Sequence, residues 1–596
     1  MDRSFTWNAE SVFPDQAGWE QAVNTVLAWL PDLEEFKGHL GDSPDSLADW
    51  FDANERARRL MAKVIVYGTM SYSVDVADQA AAVRVDRSRS FAAQLGAAAA
   101  FAVPEMLAIG LPKLREWVKT SPRLANLGHY FDVLERLEKR IRSAEVEELL
   151  SQVADPLATA LSVHSVLANT DLKFAPGVGK DGELHEVAQG TIANLLTNPD
   201  RDVRRTAFES YADEHLRMRH AMAASISGAV KRDVFYARAR GHASSLEAAL
   251  EPSHIPTEVF HNVVKTFRDN VSTWHRYWRI RRQVLGLELL KPYDLRAQLS
   301  SHTMSVRFEE AVDWISEGVA PLGEEYVATM RQGALHDRWV DVYPNKGKRM
   351  GAFSTGSMDT MPFIFMSYND DIFSMSTLAH ELGHSMHSHL AWHAQPYVYA
   401  NYGLFQAEVA SNMHQALTRR HLLATRTEPA FQIAVVEEAM SNFYRYFFIM
   451  PSLARLELAM HEHVERGGAI TAEYLNNLMA ELLLEVYGSE VDVSDRDRDR
   501  IGSTWAQFHT HLYSNFYVYQ YATGIAAADH LVQRVAEGDR KAVESYLAFL
   551  RSASSMYPLD GLRMAGVDMT SPEPVAAAFA TLASMVDRLE RLTARD

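Results

Sequence analysis

The chain has 596 residues, no cysteine, 47% hydrophobic and 23% charged residues, and 59 Lys+Arg against 77 Asp+Glu, a formal net charge of −18. This composition excludes a mostly disordered chain, a disulfide scaffold, a cysteine nucleophile and any cysteine-ligated metal. The acidic balance argues against nucleic acid or an anionic membrane as the main partner, and the length allows about three to five domains.

In chain order, the N-terminus is polar with early acids and lacks the apolar core of a secretory signal. Asp15 is placed to cap a first helix, and apolar residues at three- and four-residue spacing predict a helix over 45–70. The most apolar stretch, 97–103, stops at Pro104, short of the ~20 residues that span a bilayer; a soluble, cytoplasmic protein is expected. Helical spacing returns over 144–169. Residues 171–187 read as a hairpin around Gly177, Gly179 and Gly182. Helices are predicted over 201–240 and 257–286, the second opened by Pro256-Thr257. Two short β-like runs, 339–343 and 362–367, with a turn at Lys346-Gly347-Lys348, predict a small sheet. Further helices follow over 376–392, 405–423, 472–487 and 574–592, while the sign-alternating run 494–500 reads as a solvated loop or helix start. The fold class is mainly α with a small β-sheet. Residues 1–200 are expected to form an N-terminal helical region and 201–596 a catalytic region.

The chemistry concentrates in residues 378–389. His380 and His384 are one helical turn apart, so both imidazoles project from one face and can bind one Zn²⁺. Glu381, between them, can reach a water beside the metal and act as general base. With 24 His in the chain, this H-E-x-x-H arrangement is expected by chance only on the order of 0.06 times. Asn369, Asp370 and Asp371 offer a cap before the helix, and Pro396 ends it. A catalytic zinc takes a third protein ligand. His387 lies on the same stripe, but His380 and His387 stand ~10.5 Å apart along a straight helix axis, too far to close on one ion. A role hydrogen bonding to a ligand or to substrate suits His387 better. Glu408, on the next predicted helix beyond a turn containing Pro396, is the stronger third ligand.

These residues sit within ordered blocks that resemble the thimet-oligopeptidase-like zinc peptidases, and among them the bacterial oligoendopeptidase F branch. The blocks are Trp7-Asn8 to Phe13-Pro14, Gly347-Lys348-Arg349 through Gly351-Ala352-Phe353, Thr377 to Ser388, Ala407 to Ser411, Asn515 to Gly524, Tyr557-Pro558-Leu559, and Ala565 to Asp568. The resemblance implies Zn²⁺ held by His380, His384 and Glu408, with Glu381 as base. It also implies two helical lobes around a deep substrate channel, a small sheet beside the zinc, and cleavage of short peptides. By the same resemblance His511 and Tyr521, with Tyr513 as a third group, would face the substrate carbonyl and donate to the oxyanion. His509 competes for the histidine role, and an aromatic core stripe is the alternative reading of Tyr513, Tyr517 and Tyr521. Where the branch carries a second Glu after the third ligand, this chain has Gln415, which can hydrogen-bond a ligand His while leaving it less basic than a carboxylate would.

An extended peptide could add to an edge of the small sheet, at 352–357 or 363–366, with Pro362 consistent with an edge. The leading expectation is a zinc endopeptidase for short oligopeptides, with no nucleic-acid or membrane partner and the oligomeric state open. An exopeptidase on the same scaffold and a non-catalytic peptide-binding protein are the alternatives.

Overall fold

A computed structural model describes residues 2–300 and 304–594, and in it several helices begin where the sequence offers side-chain caps. Asp15 accepts from the Gly18 N–H ahead of Gln16–Glu34, and Ser43 from the Ser46 N–H ahead of Pro44–Val74. Asp200 opens Arg201–Ala239, and Thr471 opens Ala472–Tyr487. Each cap satisfies an N–H that has no partner inside its helix. The expected helix over 144–169 divides at Val153 into Ala144–Gln152 and Ala154–Val166, followed by a π-helical turn, Leu167–Asp171. That over 257–286 divides at Asn270, whose amide donates back to the Thr266 carbonyl at 2.8 Å. Such local bonds compete with helix continuation.

The sign-alternating run is a helix start, Asp495–Gly502, capped by Ser494, with Asp495, Arg496 and Asp499 exposed and its other face packed inward. Arg500 is buried and spreads its guanidinium over Asp213, Glu209 and Asp497. One helical stretch, Gln79–Ile109, is long and apolar enough by length and composition to cross a membrane. The alanine-rich residues on both sides of 97–103 extend the apolar run beyond the sequence reading. It is divided into Gln79–Ala98 and Ala102–Ile109, with Leu95 and Met106 buried in separate core clusters.

The chain interleaves two compact units. Met1–Lys139, Ser305–His421 and Leu531–Gly566 form the first; Arg140–Met304, Leu422–His530 and Val567–Asp596 form the second. The hairpin lies in the second unit and reduces to β1 (Gly177–Val178) against β2 (Leu184–His185), antiparallel, with Gly182 at φ 79° in the turn. The first unit holds β3 (Val340–Asp341), β4 (Phe353–Thr355) and β5 (Phe363–Phe365) in the order β3-β5-β4. β5 runs parallel to β3 and antiparallel to β4, with Ser354 opposite Ile364. The 363–366 run is therefore the centre of the sheet and not an edge. Pro362 precedes its first residue, where a missing N–H removes no ladder bond. Phe363 and Phe365 are buried with Trp7, Trp19 and Met61, which anchors the sheet and leaves β4 as an edge strand.

Candidate metal centre and its surroundings

The helix that carries the histidines, Ile372–Ala394, starts at Asp371, whose carboxylate accepts from the Ser374 N–H at 2.7 Å. It crosses the helix Leu404–Thr425 at Gly383. A Cβ at Gly383 would lie 2.6 Å from the Ala410 carbonyl oxygen and 2.6 Å from Ser411 Cα, so the glycine is what lets the two backbones approach. That approach brings Glu408, from the second helix, to the histidines of the first.

His380, His384 and Glu408 each present one donor atom, and these atoms all lie within 4.8 Å of one another. The two Nε2 atoms are 3.2 Å apart, and His380 Nε2 is 3.7 Å from Glu408 Oε2. Ligands ~2.1 Å from a tetrahedral ion stand ~3.4 Å from each other, so the spacing fits a first-row divalent cation. His380 Nδ1 lies 3.1 Å from Gln415 Oε1, an acceptor, which assigns the proton to Nδ1 and leaves Nε2 as a lone pair facing the cluster. Gln415 is itself fixed by donation to Ser376 Oγ at 2.8 Å. Burial holds the His384 imidazole well below its usual pKa, with His380 adding to the effect, so it stays neutral as a metal ligand must. Ser411 and Asn412 steady Glu408; the Asn412 amide donates to the Glu408 carbonyl at 2.7 Å.

Glu381 is buried beside this group, and its Oε2 has no hydrogen-bond partner among the described residues. Burial first, and then the Glu408 carboxylate, push its pKa up to about 8, while the Ser354 N–H of β4 pulls the other way. Ser354 Oγ also lies 2.9 Å from Ser385 Oγ, tying the edge strand to the histidine helix. Two adjacent buried carboxylates, one with an unsatisfied oxygen, form a polar cradle that a cation completes. Two neutral imidazoles and a carboxylate suit zinc and similar divalent metals.

His387 is placed differently from expectation. It is fully buried, stacks on Tyr402 at 3.6 Å, and neither ring nitrogen has a partner among the described residues; burial lowers its pKa to about 3. The Tyr402 hydroxyl lies 2.7 Å from Ser388 Oγ and donates to the His384 carbonyl at 3.2 Å. His387 therefore packs the turn against the helix rather than hydrogen bonding to a ligand.

In the second unit, His511 lies near Tyr517 and Tyr521, with ring centroids 6.1 and 6.0 Å away. The Tyr517 and Tyr521 hydroxyls are 2.6 Å apart, and Tyr521 stacks on Tyr446 at 5.1 Å. Tyr513 is not in this group. It is buried, donates to Ser225 Oγ at 2.9 Å, and packs on His164. The stripe breaks because Tyr513 follows a short helix, His509–Leu512, and the next one begins only at Tyr519. The side chain of His509 lies outside those described. Ser376 and Tyr517 went unassigned by sequence reasoning. Ser376 could have been found one turn before His380 on the same helix face.

The sequence matches the model of Peptidase family M3 over residues 194–581 and that of Oligopeptidase F over 105–174. It is 35% identical over 588 residues to Oligopeptidase PepF of Bacillus subtilis, covering 98% of this chain and 87% of that protein. It is 32% identical to Group B oligopeptidase PepB of Streptococcus agalactiae, covering 100% and 98%. The fold matches a crystal structure of oligoendopeptidase-F from Enterococcus faecium with TM-score 0.75 and 25% identity, covering 97% and 99%.

Proposed function

The chain belongs to peptidase family M3 and is a metallo-oligopeptidase, and from this we propose that it binds Zn²⁺ through His380, His384 and Glu408 and cleaves internal peptide bonds of short oligopeptides. The observation that carries the proposal is Glu381: a buried carboxylate with an unpartnered oxygen beside three clustered donor atoms. Zinc, when bound, supplies Lewis acidity, which polarises a carbonyl and lowers the pKa of water towards ~7. Glu381 takes the proton of the attacking water at Oε2 and passes it to the leaving amine nitrogen. Gln415 keeps His380 in the tautomer that offers Nε2, with a neutral amide oxygen as the acceptor. An extended peptide pairs with the edge strand β4, main chain to main chain, which makes recognition broad in sequence. His511 and Tyr521 donate to the oxyanion as the peptide carbon becomes tetrahedral; the half-exposed hydroxyl pair of Tyr517 and Tyr521 supports this assignment. Residues 201–596 form the catalytic region, and the lack of cysteine suits work in the cytoplasm.

The test is mass spectrometry of a decapeptide, acetylated and amidated, incubated with the enzyme with and without a chelator. Internal cuts lost on chelation and restored by zinc are expected. Survival of the blocked peptide while its free-ended form is trimmed would replace the endopeptidase reading with an exopeptidase.

A further inference from the structure

The segment that links the short helix His509–Leu512 to the helix starting at Tyr519 turns through Phe516, whose φ of 48° lies in the left-handed region. A bulky residue keeps that conformation only where its surroundings hold it. Here a carboxyl and a guanidinium from other helices of the second unit hold the main chain on either side. The Phe516 N–H donates to Glu457 Oε1 at 2.7 Å, and Glu457 is fully buried on the helix Met450–Glu465. The Tyr513 carbonyl accepts from Arg232 Nη2 at 3.3 Å. Arg232 Nε donates to Asp233 Oδ1 at 2.8 Å, and Asp233 Oδ2 lies 3.5 Å from His461 Nε2. His461 Nδ1 donates to the Glu457 carbonyl at 2.8 Å, and its ring packs on Phe516 at 4.7 Å. The four side chains close a ring around the turn.

Burying a carboxylate to accept a single N–H costs more than apolar packing would. Glu457 Oε2 has no partner among the described residues, so the carboxylate is not repaid elsewhere. What the ring delivers is position. One residue beyond the clamped N–H, Tyr517 sets its hydroxyl against that of Tyr521. We propose that Glu457 and Arg232 are positioning residues: by fixing the Phe516 N–H and the Tyr513 carbonyl they hold His511 and Tyr517 beside the Tyr521 hydroxyl. The inference rests on the oxyanion role given above to His511 and Tyr521. Burial pushes the Glu457 carboxyl well above its usual pKa range, so a neutral amide oxygen should serve as acceptor equally well.

The experiment is steady-state kinetics on a blocked, internally quenched decapeptide, with metal content and melting temperature measured for every variant. Tyr521→Phe should lower kcat at least about tenfold, as loss of an oxyanion donor does. Glu457→Leu should lower kcat by a similar factor, with KM within about twofold and metal content unchanged, because it removes a transition-state contact through another residue. Glu457→Gln should restore kcat to within about threefold of wild type, since it keeps the acceptor. Because both residues act through one group, the double variant Glu457→Leu/Tyr521→Phe should be no more than about threefold slower than the slower single variant. Unchanged kcat in Tyr521→Phe would overturn the oxyanion role and the positioning role together. A slow Tyr521→Phe beside a normal Glu457→Leu, or penalties that multiply in the double variant, would overturn the positioning role alone. If Glu457→Leu does not fold, Arg232→Gln, on the partly exposed side of the ring, takes its place in the same cycle with the same expectations.

Discussion

Glu381 and Glu408 bury two carboxylates near each other, an arrangement a folded chain keeps only if something offsets their mutual repulsion and lost hydration. Under the proposed function, a divalent cation held by His380, His384 and Glu408 would do so, and Glu381 would be left to handle protons rather than to ligate. Glu381→Gln should therefore keep its metal and lose kcat by about 10²–10⁴-fold, the usual contribution of a general base. Elemental analysis alongside turnover checks both halves, and a variant that still turned over within a few-fold of wild type would remove Glu381 from that role. His387 makes a prediction of the opposite kind, about stability. Its pKa falls from 6.5 unfolded to about 3 folded because the imidazole is buried without a partner. Between those values the unfolded chain binds a proton that the folded chain refuses. The stability this residue allows is complete above pH 6.5 and is lost as pH falls towards 3. His387→Phe keeps the stacking on Tyr402 and removes the titration. Its melting temperature should fall less steeply than wild type between pH 6.5 and 5, by the equivalent of about 1–2 kcal/mol. Parallel curves would show that the ring does not resist protonation.

At the scale of elements, the metal cluster depends on two helices meeting at Gly383, where an added Cβ would strike the Ala410 carbonyl oxygen and Ser411 Cα, both at 2.6 Å. Gly383→Ala must push the helices apart, moving Glu408 away from the imidazoles. A loss of about 1–3 kcal/mol in stability is expected from such overpacking, together with weaker metal retention under chelator. A variant that melts lower but holds metal normally would separate the crossing from the site. This crossing also shows what the sequence can and cannot reveal. The helices, their caps at Asp15 and Asp371, and the His380–His384 pair follow from local spacing and local hydrogen bonds, so they are legible from residues near one another. The third donor required a contact between distant residues, and Glu408 was selected by chemistry and resemblance rather than by period. The breaks at Val153 and Asn270 went unseen because both halves keep apolar residues at helical spacing. Of the two edge candidates, 352–357 contains the edge strand β4 and 363–366 does not, for a related reason. β5 inserts between β3 and β4, although β4 precedes it in the chain, and nothing in 363–366 alone distinguishes a central strand from an edge. Tyr513 was grouped with Tyr521 because the sequence spacing does not show the turn at Phe516 that breaks the aromatic stripe.

For the molecule as a whole, the formal charge of −18 should act on how peptides arrive and not on how they are cut. A net negative field raises the local concentration of cationic ligands over distances set by the Debye length, ~30 Å at 0.01 M salt and ~8 Å at 0.15 M. Glu381 and Glu408 are buried and His380 and His384 partly so, where added salt screens little. Two peptides of equal length and the same cleavage sequence, one flanked by lysines and one by glutamines, separate the two effects. At low salt kcat/KM should be several-fold higher for the lysine peptide, and raising salt to about 0.15 M should erase most of that advantage. Across the same range kcat should stay nearly constant for both peptides, because the bound complex no longer depends on steering. A lysine preference that survives high salt would point instead to a specific acidic contact in the complex, and it would then appear in KM at every ionic strength. A preference for neither peptide would mean that the acids are spread too evenly over the surface to bias approach, with main-chain pairing to β4 alone setting which peptides are held.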